Sequence, residues 1–212
     1  MPAGLEIELK LRAEDDGPLI ALAGAARLGR FTLGPAHVVD ELDRYLDTAD
    51  GRLAAARWAC RLRSRDGTLR VSLKGPAEHG AGDPFHRRPE EEGQASGSAP
   101  PETWPASAAR DMLLELSDGQ PLRERLALRQ QRTERGVSAE SALGTLSLDR
   151  VTVLRAGEQV GQFLAVELEL RPDAIEADTS QELLRELASI RGLEPEPRSK
   201  LERALAMLDH SP

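Results

Sequence analysis

Glu6, Glu8, Lys10 and Arg12 follow one another at two-residue spacing in the segment LEIELKLR. Alternate residues of a strand project from the same face. Two carboxylates, an ammonium and a guanidinium would therefore share one face, and Leu5, Ile7, Leu9 and Leu11 the other. The pattern recurs along the chain. Arg61 and Arg63 stand opposite Cys60 and Leu62, and Lys74 opposite Val71 and Leu73. Arg88, Glu90 and Glu92 share a parity across Pro89, Asp149 lies opposite Leu146 and Leu148, and Glu167 and Glu169 opposite Val166, Leu168 and Leu170. Arginine and lysine suit phosphate oxygens, and carboxylates are hard donors that suit Mg²⁺ or Mn²⁺. Gathered in one concave site, they would suit a polyanion accompanied by divalent cations.

The elements that must position these residues read as strands. Besides 5–12, strands are predicted at 37–47, 58–64, 68–75, 85–92, 123–134, 143–154 and 160–171, with Arg65-Asp66-Gly67 as the turn of a hairpin. Helices are predicted at 18–28, 51–56, 106–116, 179–191 and 199–208, and no internal repeat is visible. Strands and helices do not alternate regularly, so the fold class is antiparallel α+β. The charged faces admit two arrangements. Either they are the solvated side of an open sheet, or the sheet closes into an eight-stranded antiparallel β-barrel, a tunnel with a charged lumen and helices packed outside. Repetition over six strands favours closure.

With Arg132 and Lys200 added, eight bases (Lys10, Arg12, Arg61, Arg63, Lys74, Arg88, Arg132, Lys200) face seven acids (Glu6, Glu8, Glu90, Glu92, Asp149, Glu167, Glu169), an expected interior charge of +1. The whole chain of 212 residues carries −8. Such a balance argues against nucleic acid as a partner. No apolar run is long enough for a membrane span, and the N-terminus lacks the pattern of a signal peptide. One cysteine forms neither an intrachain disulfide nor a thiolate metal site. A cytoplasmic protein, monomer or homodimer, is expected. Residues 1–212 read as a single domain with a flexible loop at 93–105.

Several motifs together resemble the CYTH domain, or triphosphate tunnel metalloenzyme, family. Glu6-Ile-Glu8-Leu-Lys10 is similar to its ExExK signature, Tyr45-Leu-Asp47-Thr48 to its YxDT, Arg61-Leu-Arg63 to its RxR and Leu73-Lys74-Gly75 to its LKG. Leu148-Asp149, Val166-Glu167-Leu-Glu169 and Ser199-Lys200-Leu-Glu202-Arg203 match its later signatures. The resemblance implies a tunnel that binds triphosphate along its axis. It implies phosphate contacts from Lys10, Arg61, Arg63, Lys74, Arg132 and Lys200, joined by Arg12 and Arg88. It further implies one or two Mg²⁺ or Mn²⁺ ions on Glu6, Glu8, Glu167 and Glu169, with Asp149 nearby. Glu6, Glu8, Lys10, Lys74 and Asp149 would take direct part in catalysis. The implied activity is hydrolysis of triphosphate compounds, inorganic triphosphate first because aromatic residues are only 3% of the chain. A class IV type adenylyl cyclase, a thiamine triphosphatase and a polyphosphate-binding module are the alternatives.

Two choices stay open in the sequence: Arg87 or Arg88, and Arg129 or Arg132, as the lumen residue. Tyr45 reads as a neighbour of the site and Cys60 as a buried thiol. Trp58 reads as core, Trp104 carries no functional signal, and His37, His79, His86 and His210 read as surface residues.

Overall fold

The computed structural model describes residues 4–77, 85–97, 99–172 and 177–209. Eight long strands form the frame: β1 (Gly4–Ala13), β4 (His37–Thr48), β5 (Ala59–Arg65), β6 (Thr68–Lys74), β7 (His86–Gln94), β8 (Leu122–Ser138), β9 (Ala142–Arg155) and β10 (Glu158–Leu170). They run in the order β8-β4-β5-β6-β7-β1-β10-β9, and β9 pairs with β8 again, so the sheet closes. Every neighbouring pair is antiparallel. Closure leaves these eight without an unpaired edge. Asp66 and Gly67 both take positive φ between β5 and β6, as a two-residue type I′ turn requires.

Outward-facing Ile7, Leu9, Leu11, Leu146, Leu148, Val166 and Leu168 pack beneath α1 (Gly17–Gly24) and α4 (Ala177–Ala188). Cys60, Leu62, Val71 and Leu73 pack beneath α2 (Arg52–Ala55) and α3 (Ala108–Ser117). Trp104 joins this second cluster, and its indole N–H donates to the Ala99 carbonyl at 2.8 Å, which anchors the connection from β7 to α3. The last helix, α5 (Lys200–Asp209), packs against Leu126, Leu128, Val151, Val153, Phe163 and Ala165. Those residues share parity with the charged positions, so the barrel interior is apolar at one end and α5 plugs it.

Three short strands lie outside the sequence expectation: β2 (Arg27–Leu28), β3 (Phe31–Leu33) and β11 (Leu193–Pro195). The predicted helix 18–28 ends at Gly24, after which Ala25 is extended. Arg135 of β8 causes the break. Its buried guanidinium donates to the carbonyls of Leu22, Ala23, Ala25, Leu33 and Gly34 at 2.5–3.0 Å. The chain then folds back as the β2–β3 hairpin around Gly29, at φ 55°. Among the described residues no helix is long and apolar enough to cross a membrane.

Candidate active site

The polar part of the barrel encloses a cavity of about 390 Å³. Glu6, Glu8 and Lys10 enter it from β1, and Arg88 and Glu90 from β7. Register sets Arg88 beside Glu6. Its Nε donates to Glu6 Oε2 at 2.5 Å and its Nη2 to Glu8 Oε1 at 2.6 Å. Lys74 of β6 reaches Glu6 Oε1 at 2.5 Å and Glu90 at 3.3 Å, and Lys10 lies 3.0 Å from Glu8. Burial raises the Glu6 carboxyl, but Lys74 and Arg88 outweigh it and hold the pKa at about 2.

Across the lumen, Asp149 of β9 accepts both Nε and Nη2 of Arg132 at 2.7 and 2.9 Å, and Lys200 at 2.6 Å. Lys200 also reaches Glu167 at 2.5 Å. Lys200 arrives there because α5 begins at the lumen. The Ser199 and Glu202 side chains close a reciprocal capping box, each bonded to the other's backbone N–H. Arg203 then donates to the Leu164 carbonyl at 3.0 Å and stacks 4.0 Å from the Phe163 ring, which clamps the helix to β10.

The third wall escaped the sequence reading. Asp43 of β4 is 0% exposed and accepts Nε and Nη2 of Arg63, both at 2.7 Å, and Gln130 at 2.8 Å. Burial raises its carboxyl, but Arg61 and Arg63 hold it well below the usual carboxylate range. Glu41 lies 3.2 Å from both Arg63 and Arg65, and Arg65 forks onto Glu134 at 2.7 Å. Glu41, Asp43 and Tyr45 share parity on β4, the one signal that could have found them. Among the described residues the buried atoms Glu41 Oε2, Arg61 Nε and Gln130 Oε1 make no hydrogen bond, although Glu41 Oε2 ion-pairs with Arg63.

Most of the expected residues converge on the lumen: Glu6, Glu8, Lys10, Arg61, Arg63, Lys74, Arg88, Arg132, Glu167, Glu169 and Lys200 line it, and Asp149 lies behind Arg132 and Lys200. Arg88 and Arg132 point inward, whereas Arg129 is exposed. Arg12 does not join them. Its side chain is 45% exposed and pairs with Glu194 of β11, because the β1–β11 pairing starts at this level. With Arg12 outside and Arg65 and Glu134 inside, eight bases and seven acids line the cavity among the described residues, and Glu41, Asp43 and Asp149 lie buried behind them.

Cys60 is buried as expected, and burial followed by the charge of Asp47 pushes its thiol up to about 12. Asp47 caps α2, accepting from the backbone N–H groups of Leu53 and Ala54 at 3.0 and 3.2 Å. That part of the YxDT motif holds the fold. His86, expected on the surface, is buried, since it opens β7 opposite Glu8. His37 is exposed, and His79 and His210 lie outside the described residues.

Among the described residues no three carboxylate, imidazole or thiol groups gather tightly enough to form a ready metal site. The donor chemistry nevertheless fits a hard divalent cation. Glu169, on the same wall as Glu6, makes no ion pair among the described residues, and burial together with Glu6, Glu90 and Glu8 pushes its carboxyl up. A carboxylate cluster short of positive charge is what such a cation neutralises.

A second cavity of about 400 Å³ shares Lys10, Tyr45, Lys74 and Arg88 with the lumen and opens beside α5. Trp58, Pro76, Leu201 and Leu205 give it an apolar wall, and Arg57 and Arg125 stand at its rim. Gly75 allows Trp58 its place, because a Cβ there would lie 2.6 Å from Pro89 and 3.0 Å from the indole.

Among solved structures the chain resembles HpAC1 of Hippeastrum, a candidate adenylyl cyclase with dominant triphosphatase activity. The two share 22% identity over 95% of each chain, at a TM-score of 0.70. It also resembles a candidate adenylate cyclase of Bacillus halodurans, 21% identical over 94% of this chain and 98% of the other, with a TM-score of 0.58. At these identities the likeness establishes the fold. Comparison with curated proteins gives no match. The family model of the CYTH domain matches residues 4–205, the span that contains every wall of the lumen, and the chain belongs to that family.

Proposed function

We propose that the protein is a divalent-metal-dependent hydrolase of triphosphate compounds, using Mg²⁺ or Mn²⁺. One observation carries this reading: eight bases and seven acids converge on one lumen, with Glu41, Asp43 and Asp149 buried behind them. Carboxylates this numerous among the bases oppose a naked triphosphate, so accompanying cations favour its entry. Glu6, Glu8 and Glu169 would hold the metal, with Glu167 and Asp149 nearby. When bound, the ion neutralises charge on the phosphate oxygens and makes water a better nucleophile. Lys10, Arg61, Arg63, Lys74, Arg88, Arg132 and Lys200 would grip phosphate oxygens. Arg12 falls outside this set. Phosphoryl transfer asks mainly for positioning and charge stabilisation, and fixed strands supply both.

Inorganic triphosphate satisfies the lumen alone. An organic triphosphate is a second reading, favoured by the apolar cavity beside α5, where Tyr45 and Trp58 are two of the chain's six aromatic residues. The test is product analysis with inorganic triphosphate, ATP and thiamine triphosphate, each with Mg²⁺ or Mn²⁺ and with EDTA. Phosphate release abolished by EDTA is expected, and the fastest substrate decides between the two readings. Cyclic AMP and pyrophosphate from ATP would make the protein a cyclase. Tight binding with no turnover of any substrate would make it a polyphosphate-binding module.

A further inference from the structure

Arg88 has a position shared by no other base among the described residues: it alone bonds both Glu6 and Glu8. Its Nε meets Glu6 Oε2 at 2.5 Å and its Nη2 meets Glu8 Oε1 at 2.6 Å, whereas Lys74 touches only Glu6 of the pair and Lys10 only Glu8. The two carboxylates stand at i and i+2 on one strand face, and the guanidinium enters from the adjacent strand in register with Glu6. Both are nearly inaccessible to water, at 8% and 4% exposure. Two buried carboxylates this close stay ionised together only with a counter-ion beside them.

We propose that Arg88 is the resident counter-ion of the Glu6–Glu8 pair and occupies the seat that a divalent cation takes. Metal loading is then an exchange of counter-ions. Arg88 withdraws its two hydrogen bonds as the divalent ion arrives, and the pair stays neutralised throughout. This inference rests on the proposed assignment of Glu6 and Glu8 as metal ligands. It goes further by giving a second role to a residue placed among the phosphate contacts. It also accounts for the lack of a ready metal site among the described residues, since the acids of this wall are spread over the bases that hold them.

The test measures binding of Mn²⁺ alone, by the electron paramagnetic resonance signal of the free ion, with circular dichroism to verify folding. Arg88→Gln empties the seat, and the Kd for Mn²⁺ is expected to fall at least fivefold. Arg88→Lys keeps the charge but cannot fork across both carboxylates, and its Kd is expected to fall at least twofold. Arg61→Gln removes the same charge from the lumen without touching either carboxylate, and should have clearly the smaller effect. Equal affinity in Arg88→Lys and wild type would overturn the proposal. So would an Arg61→Gln effect as large as that of Arg88→Gln, because charge alone would then explain both. Undiminished Mn²⁺ binding in the double variant Glu6→Gln/Glu8→Gln is a different failure: it would remove the metal assignment itself.

Discussion

Asp43→Asn tests whether the missed wall of the lumen holds the barrel together. The carboxylate is fully buried and takes three hydrogen bonds of 2.7–2.8 Å, two from Arg63 and one from Gln130, with Arg61 3.8 Å away. Asparagine keeps the shape but loses the charge and one acceptor, which leaves Arg63 with Glu41 at 3.2 Å and Arg61 with Glu90 at 3.8 Å as acid partners. Breaking a buried pair from one side costs about 3–5 kcal/mol, and the lower end applies because the Arg63 side chain keeps 15% exposure. For a chain of this size about 3 kcal/mol corresponds to a Tm lowered by roughly 6–12 °C. The sign with pH follows from the depressed carboxyl. A group held below its unfolded pKa of about 3.9 stabilises the fold above that value and loses the contribution as pH falls through and below it. The gap between wild type and variant, measured by calorimetry, should therefore be widest near pH 7 and narrow towards pH 3. A Tm at pH 7 within about 2 °C of wild type, or a gap that stays constant down to pH 3, would refute the reasoning.

Three further outcomes are expected. Glu169→Ala should reduce phosphate release at least 100-fold while leaving the Tm unchanged or higher, because Glu169 makes no ion pair among the described residues and its removal relieves repulsion from Glu6, Glu8 and Glu90. Wild-type turnover at limiting Mg²⁺ would contradict the assignment. Arg135→Met should lower the Tm by roughly 6–12 °C with kcat unchanged, since it takes the guanidinium from five buried or partly buried carbonyls away from the lumen lining at a cost of about 3 kcal/mol. A parallel loss of kcat would place Arg135 in the site. Cys60, its thiol pushed up to about 12, should resist a thiol reagent at pH 8 until the protein unfolds. Modification of the folded protein at the rate of a free thiol would show that Cys60 is not enclosed.

Much of the barrel was legible because β1 and several other long strands oppose charge to hydrocarbon. In β1 the contrast is complete, and Ile7, Leu9 and Leu11 indeed face the outer core while Glu6, Glu8 and Lys10 face inward. In β7 the inward parity of Arg88 and Glu90 survives Pro89, which faces outward near Gly75 and whose carbonyl accepts the Gly75 N–H at 2.9 Å. β4 lacks that contrast. Its outer face carries Asp40 and Arg44, so Glu41 and Asp43 are not distinguished by type from residues that meet water. Arg65 and Glu134 sit near strand ends, and their place inside depends on partners 69 residues apart in sequence. Such pairings come from barrel closure, which no local pattern specifies. Arg12 errs the other way: its parity is inward, but the β11 strand that claims its level is three residues long and carries no alternation.

The role of α5 shows where periodicity stops being informative. Leu126, Leu128, Val151, Val153, Phe163 and Ala165 have lumen parity, yet a strand with apolar residues on its inward face resembles any buried strand. Only the closed barrel turns those six positions into a socket, and only α5 fills it, with Ala204 fully buried and Leu201 and Leu205 beside it. The same helix carries Lys200 to Asp149 and Glu167. The apolar stretch of the interior therefore works for the charged stretch. Burying α5 against the socket fixes the starting point of the helix, and the capping box fixes the direction in which Lys200 leaves it. A lysine on a free loop would surrender its rotamer freedom on each encounter with an anion. On a clamped helix that cost is met during folding, and the ammonium stands ready in the lumen.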